Sequence, residues 1–151
     1  MPGDRVLDIG CGPGAALEHA HSAGAQVSAV DPTPGMVKRA SARVPDATVV
    51  LGSAEHLEFE DETFDIVWSL SAYHHWAYPE TAFQEIQRVL RSGGRLYIVE
   101  DELRDGKTGH GLDRHDAEGL SRDLGRHQFT DTRVEAMKPR RKTYLVISGV
   151  K

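Results

Sequence analysis

The sequence predicts an α/β fold, in which mostly parallel strands form one sheet with helices on both of its faces. Three observations support this prediction. Five strand-like stretches alternate with helix-like segments, and a glycine-rich turn directly follows the first stretch. Near the end of the chain, two β-rich segments flank a turn that contains Pro139, as in a hairpin. The chain has 151 residues and shows no repeat or linker, so we expect one domain over residues 1–151.

The predicted strands are short runs rich in apolar residues. They cover 5–9, 26–31, 47–52, 64–70 and 95–100, with the terminal hairpin in 130–150. Because each of the first five is separated from the next by a helix or a long connection, these strands should run parallel. The terminal hairpin adds antiparallel pairing to the same sheet.

The predicted helices follow from apolar spacing and from end signals. Thr33 can cap the second helix, and Pro34 suits its first turn. In the third helix apolar residues recur at helical spacing, and Gly93 and Gly94 end it. The predicted ranges are 14–24, 33–44 and 78–94, with a weaker helix at 116–124.

The composition excludes several classes of partner. The formal net charge is −5, so neither nucleic acid nor an anionic membrane is an expected partner. The densest basic run, Lys138–Lys142, falls at the predicted hairpin turn and is interpreted as a solvated tip. Cys11 is the single cysteine, which excludes an intramolecular disulfide and fits a reducing, cytoplasmic location. No apolar run is long enough to span a bilayer, and the first residues do not form a signal peptide.

The glycine turn points to a nucleotide-like ligand. Ligands of open parallel sheets sit at the carboxyl ends of the strands, where the turn Gly10–Gly14 would lie. Asp31 ends the second predicted strand about twenty residues further on, where a carboxylate can accept both hydroxyl hydrogens of a ribose. Gly10, Gly12 and Ala15 also satisfy the dinucleotide pattern G-x-G-x-x-(G/A). These residues alone leave open a nicotinamide cofactor, another nucleotide, or a turn without ligand.

Four longer stretches, in order along the chain, narrow the choice. They are "VLDIGCGPG" at 6–14, "AVDPTPGMVKRA" at 29–40, "GSAEHLEFEDETFDIVWS" at 52–69 and "QEIQRVLRSGGRLYIVE" at 84–100. With these stretches the sequence resembles the class I S-adenosylmethionine-dependent methyltransferases, and specifically the type 11 methyltransferase domain. The first stretch matches the family motif (D/E)-x-G-x-G-x-G. The resemblance is strong from about Asp4 to Glu100 and extends to the tail by topology only.

The resemblance implies a Rossmann-like, doubly wound sheet of seven strands in the order 3-2-1-4-5-7-6, with the last strand antiparallel. It also implies S-adenosyl-L-methionine as cofactor and S-adenosyl-L-homocysteine as product. The glycine loop would lie beside the methionine part, Asp31 would hold the ribose, and Met36 would pack against the adenine. The cofactor-binding residues expected in this way are Asp8, Gly10, Cys11, Gly12, Gly14, Asp31, Pro32, Met36, Ser53, Ala54, Glu55, Ser69 and Leu70.

One position departs from the family pattern. The family usually has an acidic residue at Ser53, where it accepts a hydrogen bond from the adenine amino group. A neutral hydroxyl oxygen accepts a weaker hydrogen bond than a carboxylate does. We therefore expect adenine binding to survive in a somewhat weakened form.

The candidate catalytic residues follow the fourth strand, where "SAYHHWAYP" would face the transferable methyl group. His74 or His75 could remove a proton from the acceptor, and the sequence does not rank them. Tyr73 and Trp76 are interpreted as wall residues. No metal site is expected, although one acid-and-histidine group superficially resembles a metal cluster. That group consists of Asp113, His115 and Asp116.

Other polar residues near the expected site receive weaker interpretations. Glu100 and Asp101 end the fifth strand, where they could bind a polar or cationic acceptor but are more readily explained as solvated loop acids. His110 has no defined role in the sequence. Cys11 lies inside the glycine loop, where a small residue is needed, so a nucleophilic role is not expected.

Family members usually carry one or two helices before the first strand, which cover the cofactor. Here the expected first strand begins at Arg5, so the fold is expected to lack these lid helices. A truncated product, a second protomer that supplies the lid in a homo-oligomer, or an open site would each explain this. The candidate cover within the chain is the polar segment Asp101–Arg114.

The leading hypothesis is an S-adenosylmethionine-dependent methyltransferase that acts on a small-molecule acceptor. The alternative is a non-catalytic, methyltransferase-like partner protein that binds the same cofactor. A nicotinamide-dependent oxidoreductase is a third hypothesis, but it predicts neither the "RVLRSGG" block nor the terminal hairpin.

Overall fold

The computed structural model describes residues 2–103 and 109–151, which form one seven-stranded sheet in the order β3-β2-β1-β4-β5-β7-β6. The strands are β1 (Arg5–Ile9), β2 (Gln26–Asp31), β3 (Thr48–Leu51), β4 (Phe64–Leu70), β5 (Leu90–Asp101), β6 (Thr130–Met137) and β7 (Tyr144–Val150). The helices are α1 (Ala15–Ser22), α2 (Pro34–Arg43), α3 (Pro79–Val89) and α4 (Arg114–Arg126), with a short 3₁₀ turn at Tyr73–His75. The predicted strand order is confirmed.

The sheet is parallel except at its final strand. β1 pairs in parallel with β2 and β4, whereas β7 pairs antiparallel with both β5 and β6. The central strand β1 is buried on both faces: Val6 and Leu7 point to opposite sides, and neither is exposed. A central parallel strand therefore reads as a continuous apolar run, as "RVLDI" does.

Two apolar clusters cover the two faces of the sheet. One face packs against α1 and α2 through residues such as Leu17 and Ala40. The other packs against α3 and α4 through larger side chains, among them Phe83 and Leu124. Among the helices that the structure describes, none is long and apolar enough to cross a membrane.

The connection from β3 to β4 contains no helix and is held by the side chain of Arg88 on α3. The Arg88 guanidinium donates to the carbonyl oxygens of Leu57 and Phe59, each at 2.7 Å. It also donates to the carboxylate of Glu85 at 2.9 Å, and that carboxylate accepts from the Leu57 N–H at 2.8 Å. The connection is therefore fixed from residue 57 onward, directly after the stretch that carries Ser53.

Predicted boundaries were wrong at two places in the chain. The third helix ends at Val89 rather than at Gly94, and β5 begins at Leu90 rather than at residue 95, because Leu90 is fully buried and already pairs with Phe64 of β4. The last helix begins at Arg114 rather than at 116, because the Asp113 side chain caps it by accepting from the Asp116 N–H at 2.8 Å. Asp113 and Asp116 thus form a helix cap in this structure.

Candidate functional site

A cleft of about 490 Å³ lies at the carboxyl ends of β1, β2 and β3. Its volume falls within the range of small-molecule pockets, roughly 300–1,000 Å³. The predicted site residues on its wall are Gly10, Gly12, Asp31, Pro32, Met36, Ser53, Ala54, Glu55 and His75. The other wall residues are Ile9, Pro13, Val30, Thr33, Gly52, Ser71, Ala72 and Trp76.

The floor of the cleft is the glycine turn after β1, where Gly10, Gly12 and Gly14 all have positive φ angles. Only glycine adopts this region without strain. A Cβ atom on Gly10 would lie 2.5 Å from the Cβ of Ala72, and one on Gly14 would lie 3.0 Å from Ala40. The turn therefore needs glycine for its backbone conformation at all three positions, and for close packing at Gly10 and Gly14.

Asp31 connects the glycine turn to the start of α2. Its carboxylate is 6% exposed and accepts from the Gly12 N–H and the Thr33 N–H, each at 2.9 Å. A carboxylate offers about four acceptor positions, so these two bonds leave capacity for further donors. Because Asp31 also lines the cleft, it can accept the two hydroxyl hydrogens of a ribose placed there.

Glu55 joins the β3 side of the cleft to the loop after the 3₁₀ turn. Its Oε1 accepts from the Ala77 N–H at 2.8 Å and from the Tyr78 N–H at 3.1 Å. Partial burial raises the pKa of this carboxyl, but the donated hydrogen bonds outweigh burial and leave the pKa below its usual range. Glu55 is therefore a charged acid that fixes one wall, and its neighbour Ser53 lies on the same wall.

Asp8 lies beneath the cleft rather than on its wall, at 1% exposure. Among the described residues, neither of its carboxyl oxygens has a hydrogen-bond partner, and the indole N–H of Trp68 has none either. Burial raises the pKa of Asp8 to about 7, and the negative charge of Asp31 adds to this rise. The structure thus places a readily protonated acid below the glycine turn.

Four further residues expected at the cofactor lie off the cleft wall. Cys11 is buried, and burial together with the charges of Asp8 and Asp31 raises the pKa of its thiol to about 12. Gly14 packs under α2. Ser69 is fully buried, and Leu70 lies in a separate groove with Trp68.

The wall after β4 is formed instead by Ser71 and Ala72, slightly further along the chain than expected. β4 continues to Leu70, and Ser71 has a positive φ of 54° that turns the backbone. The predicted end of β4 was therefore correct, but the residues that line the cleft follow this turn instead of preceding it.

His74 is held by a buried acid. Its Nδ1 lies 2.9 Å from Oε2 of Glu100, which is fully buried, and Oε1 of Glu100 accepts from the Tyr73 N–H at 2.8 Å. In the neutral imidazole tautomer whose Nδ1–H donates to this carboxylate, Nε2 is the nitrogen that carries the lone pair. The interpretation of Glu100 as a solvated loop acid was therefore wrong, because the carboxylate is buried against the histidine loop.

Three histidine rings meet at the edge of the cleft. The ring centroids of His74 and His75 are 4.1 Å apart, and the His110 ring lies 4.9 Å from the first and 5.7 Å from the second. Of the three, His75 lines the cleft. Sequence reasoning found the first two but assigned no role to His110, which follows an irregular segment that gives no periodic signal.

His110 reaches this position because the chain returns to the end of β5. The Leu112 N–H donates to the Asp101 carbonyl at 2.9 Å, and the Leu103 N–H donates to the Leu112 carbonyl at 2.8 Å. Gly111, between them, has a φ of 150°, and a Cβ there would collide with the Asp101 carbonyl oxygen. Of the expected cover Asp101–Arg114, residues 104–108 lie outside the described part of the chain.

The structure also shows where the remaining aromatic residues and the basic run of the sequence analysis lie. Trp76 lines the cleft, but Tyr73 stacks on Phe83 with ring centroids 6.4 Å apart and belongs to the core edge. The basic hairpin tip is exposed, and its Lys142 pairs with Asp101 at 2.6 Å.

Comparison with known proteins agrees with this geometry. Residues 7–98 match the family model described as a methyltransferase domain. An uncharacterized methyltransferase of Mycobacterium tuberculosis is 41% identical over 95 residues, which cover 63% of this chain and 39% of the relative. The malonyl-[acyl-carrier protein] O-methyltransferase of Herminiimonas arsenicoxydans is 40% identical over 121 residues, which cover 76% of this chain and 45% of the relative. The chain thus spans less than half the length of these relatives.

Solved structures show the same fold. A phosphoethanolamine N-methyltransferase of Haemonchus contortus, solved with phosphomonomethylethanolamine and S-adenosylhomocysteine, superimposes with a TM-score of 0.84 at 23% identity. The match covers 99% of this chain and 49% of that one. The sheet order, the glycine turn with its acidic partner and the family match lead to one conclusion: the chain belongs to the class I S-adenosylmethionine-dependent methyltransferases, in the type 11 methyltransferase domain family.

Proposed function

We propose that this protein binds S-adenosyl-L-methionine in the cleft and transfers its methyl group to a small-molecule acceptor. The observation that supports this most directly is the wall shared by the glycine turn and Asp31. The carboxylate keeps free acceptor capacity there, and the turn leaves the backbone open to close approach. Neither feature is needed for a turn that merely connects a strand to a helix.

In this proposal the cofactor extends along the cleft. Asp31 accepts the ribose hydroxyl hydrogens, and the methionine part follows Gly10 and Gly12. The adenine lies between Met36 and the wall that contains Ser53, all of which line the cleft. This arrangement directs the sulfonium towards the Ser71–Trp76 loop, at the histidine edge of the cleft.

Methyl transfer from a sulfonium is an in-line displacement, so the protein mainly positions the acceptor and takes up its proton where one must leave. In the proposed mechanism His74 is the proton acceptor, because Glu100 holds its Nδ1 and leaves Nε2 free. His75 lines the cleft and orients the acceptor. The supporting observation is the fixed geometry of the Glu100–His74 pair, which a solvated histidine would lack.

A small acceptor suits the size of the cleft, since 490 Å³ is shared with the cofactor. The name of one relative, malonyl-[acyl-carrier protein] O-methyltransferase, gives oxygen as the methylated atom. An oxygen acceptor would make use of a histidine that removes a proton. We therefore propose an acceptor that presents a hydroxyl or carboxyl oxygen.

The first test is titration calorimetry with S-adenosylmethionine, S-adenosylhomocysteine and NAD. We expect both sulfur nucleotides to bind and NAD not to bind. Asp31→Ala should weaken S-adenosylmethionine binding by more than tenfold, whereas Glu118→Ala, on the exposed surface of α4, should leave it unchanged. Binding of NAD alone, or an unchanged affinity of Asp31→Ala, would contradict the assignment.

The second test is transfer of a labelled methyl group to a panel of hydroxyl and carboxyl acceptors. His74→Ala should lose most of the turnover while retaining cofactor affinity. If S-adenosylmethionine binds but no acceptor in the panel is methylated, the non-catalytic alternative is favoured.

A further inference from the structure

The three histidines at the cleft edge have the composition and spacing of a metal site. His74, His75 and His110 each offer one ring nitrogen, and these three nitrogens all lie within 4.8 Å of one another. Ligand nitrogens around a tetrahedral Zn²⁺ lie about 3.4 Å apart, because each Zn–N bond is about 2.0–2.1 Å. His75 and His110 are exposed, so modest side-chain rotations can close this difference.

The remaining ring, that of His74, already has the orientation that metal-binding histidines usually have. Metal-binding histidines almost always donate their second N–H to a carboxylate or a carbonyl group, which fixes the ring and its tautomer. His74 does so through Nδ1 to the fully buried Glu100, at 2.9 Å. The Nε2 atom is then the free ligand atom. Burial of a carboxylate against one histidine is a second observation, independent of the spacing of the three rings.

Two backbone features bring the ligands together. The 3₁₀ turn Tyr73–His75 presents two adjacent histidines, and the Tyr73 N–H binds Glu100. Gly111 permits the close return of the chain past Asp101, which places His110 above them. The histidines thus come from two separate segments that β5 holds in place.

We propose that His74, His75 and His110 bind one divalent transition-metal ion, for which Zn²⁺ is the representative probe. Imidazole nitrogens suit Zn²⁺, Cu²⁺, Ni²⁺ and Fe²⁺ rather than Mg²⁺ or Ca²⁺, which prefer oxygen ligands. Three protein ligands leave at least one coordination position open, the pattern of sites that bind a further molecule. The sequence alone gave no such expectation, because its only candidate group was the one that caps α4.

The open position lies beside the cleft, because His75 belongs to both the cluster and the cleft wall. An ion there binds an oxygen of the methyl acceptor and lowers the pKa of that oxygen. This part of the inference rests on the proposed function, whereas metal binding does not. When the ion occupies Nε2 of His74, this nitrogen cannot take up a proton. The methyl acceptor, made more acidic by the ion, then loses its proton to water at the edge of the cleft, where His75 and His110 are exposed.

The test is calorimetric titration of the untagged 151-residue chain with Zn²⁺, together with the visible spectrum of the Co²⁺ form. We expect one ion per chain and a Co²⁺ spectrum of low coordination number. His110→Ala and His75→Ala should each weaken Zn²⁺ binding at least tenfold, and Glu100→Gln by about ten- to a hundredfold. His19→Ala, an exposed histidine on α1, is the matched control and should bind as the wild type does.

Two results would overturn the metal site: absence of stoichiometric Zn²⁺ binding to the folded protein, or equal loss of affinity in His19→Ala and His110→Ala. His75 and His110 are exposed, so their variants should keep wild-type circular dichroism, which removes misfolding as an explanation. S-adenosylmethionine binding measured on the same samples separates the two proposals. Zn²⁺ binding without cofactor binding would refute the proposed function alone, and the reverse result would refute the metal site alone.

Discussion

Replacing Asp8 by asparagine should change how stability depends on pH. The carboxyl group is buried, and its pKa is raised from 3.8 to about 7, so the folded state favours the neutral form. A raised pKa means that the stability associated with the neutral acid is fully present below pH 3.8 and is lost as the pH rises through about 7. The neutral amide of Asp8→Asn has no such titration.

The magnitude follows from the size of the shift. A rise of about three pKa units, at 1.36 kcal/mol for each unit, corresponds to about 4 kcal/mol between low and high pH. Between pH 5 and pH 8 most of this loss should occur in the wild type, roughly 2–3 kcal/mol. We therefore expect Asp8→Asn to gain stability relative to the wild type over this interval.

The assay is urea unfolding of both proteins at half-unit steps from pH 5 to pH 8, with the free energy of unfolding extrapolated to water. Glu118→Gln, at an exposed acid on α4, is the control and should follow the wild-type curve. If the difference in free energy between Asp8→Asn and the wild type stays constant across this range, Asp8 does not titrate near pH 7 and the burial argument is incorrect.

Three further predictions concern the residues around the cleft. In the folded protein the Cys11 thiol, with its pKa raised to about 12, should resist iodoacetamide at pH 8 and react once urea unfolds the chain. Arg88→Met should lower the free energy of unfolding by about 2–4 kcal/mol, because it removes the hydrogen bonds to two backbone carbonyls and to the Glu85 carboxylate, and Arg88→Lys should not restore it. Gly10→Ala should cost at least about 1–2 kcal/mol from its positive φ alone, and S-adenosylmethionine affinity measured by calorimetry should fall because the added methyl group meets Ala72.

Each of these predictions has a defined contrary result. Rapid alkylation of folded protein at pH 8 would contradict the buried position of the thiol. A stability of Arg88→Lys equal to that of the wild type would show that the planar guanidinium is not needed. Unchanged cofactor affinity in Gly10→Ala would mean that the turn can move away from Ala72 without affecting the ligand.

The sequence predicted the central strands closely because their environment is simple. β1, β2 and β4 have the bounds expected from their apolar runs. A parallel strand that is buried on both faces admits few polar residues, so a short apolar run in the sequence is enough to predict it. The glycine turn could be predicted equally well, because a residue that has a positive φ and a closely packed neighbour must be glycine.

The errors arose where distant residues decide the local structure. The pair Gly93–Gly94 signals a helix end, yet α3 stops earlier because Leu90 is needed in the core opposite Phe64. Glu100 follows an apolar strand and resembles a solvated acid until His74, far away in sequence, is brought against it. Such contacts depend on tertiary structure, and the spacing of residues within one segment of the sequence does not predict them.

The contact between Gly10 and Ala72 also has an evolutionary consequence. The two residues belong to the loops after β1 and β4, and there is no room for one additional methyl group between them. Neither loop can accept a larger side chain at this point unless the other withdraws. Homologues that diverge in acceptor preference should therefore vary the Ser71–Trp76 loop around a small residue at position 72, or change both positions together.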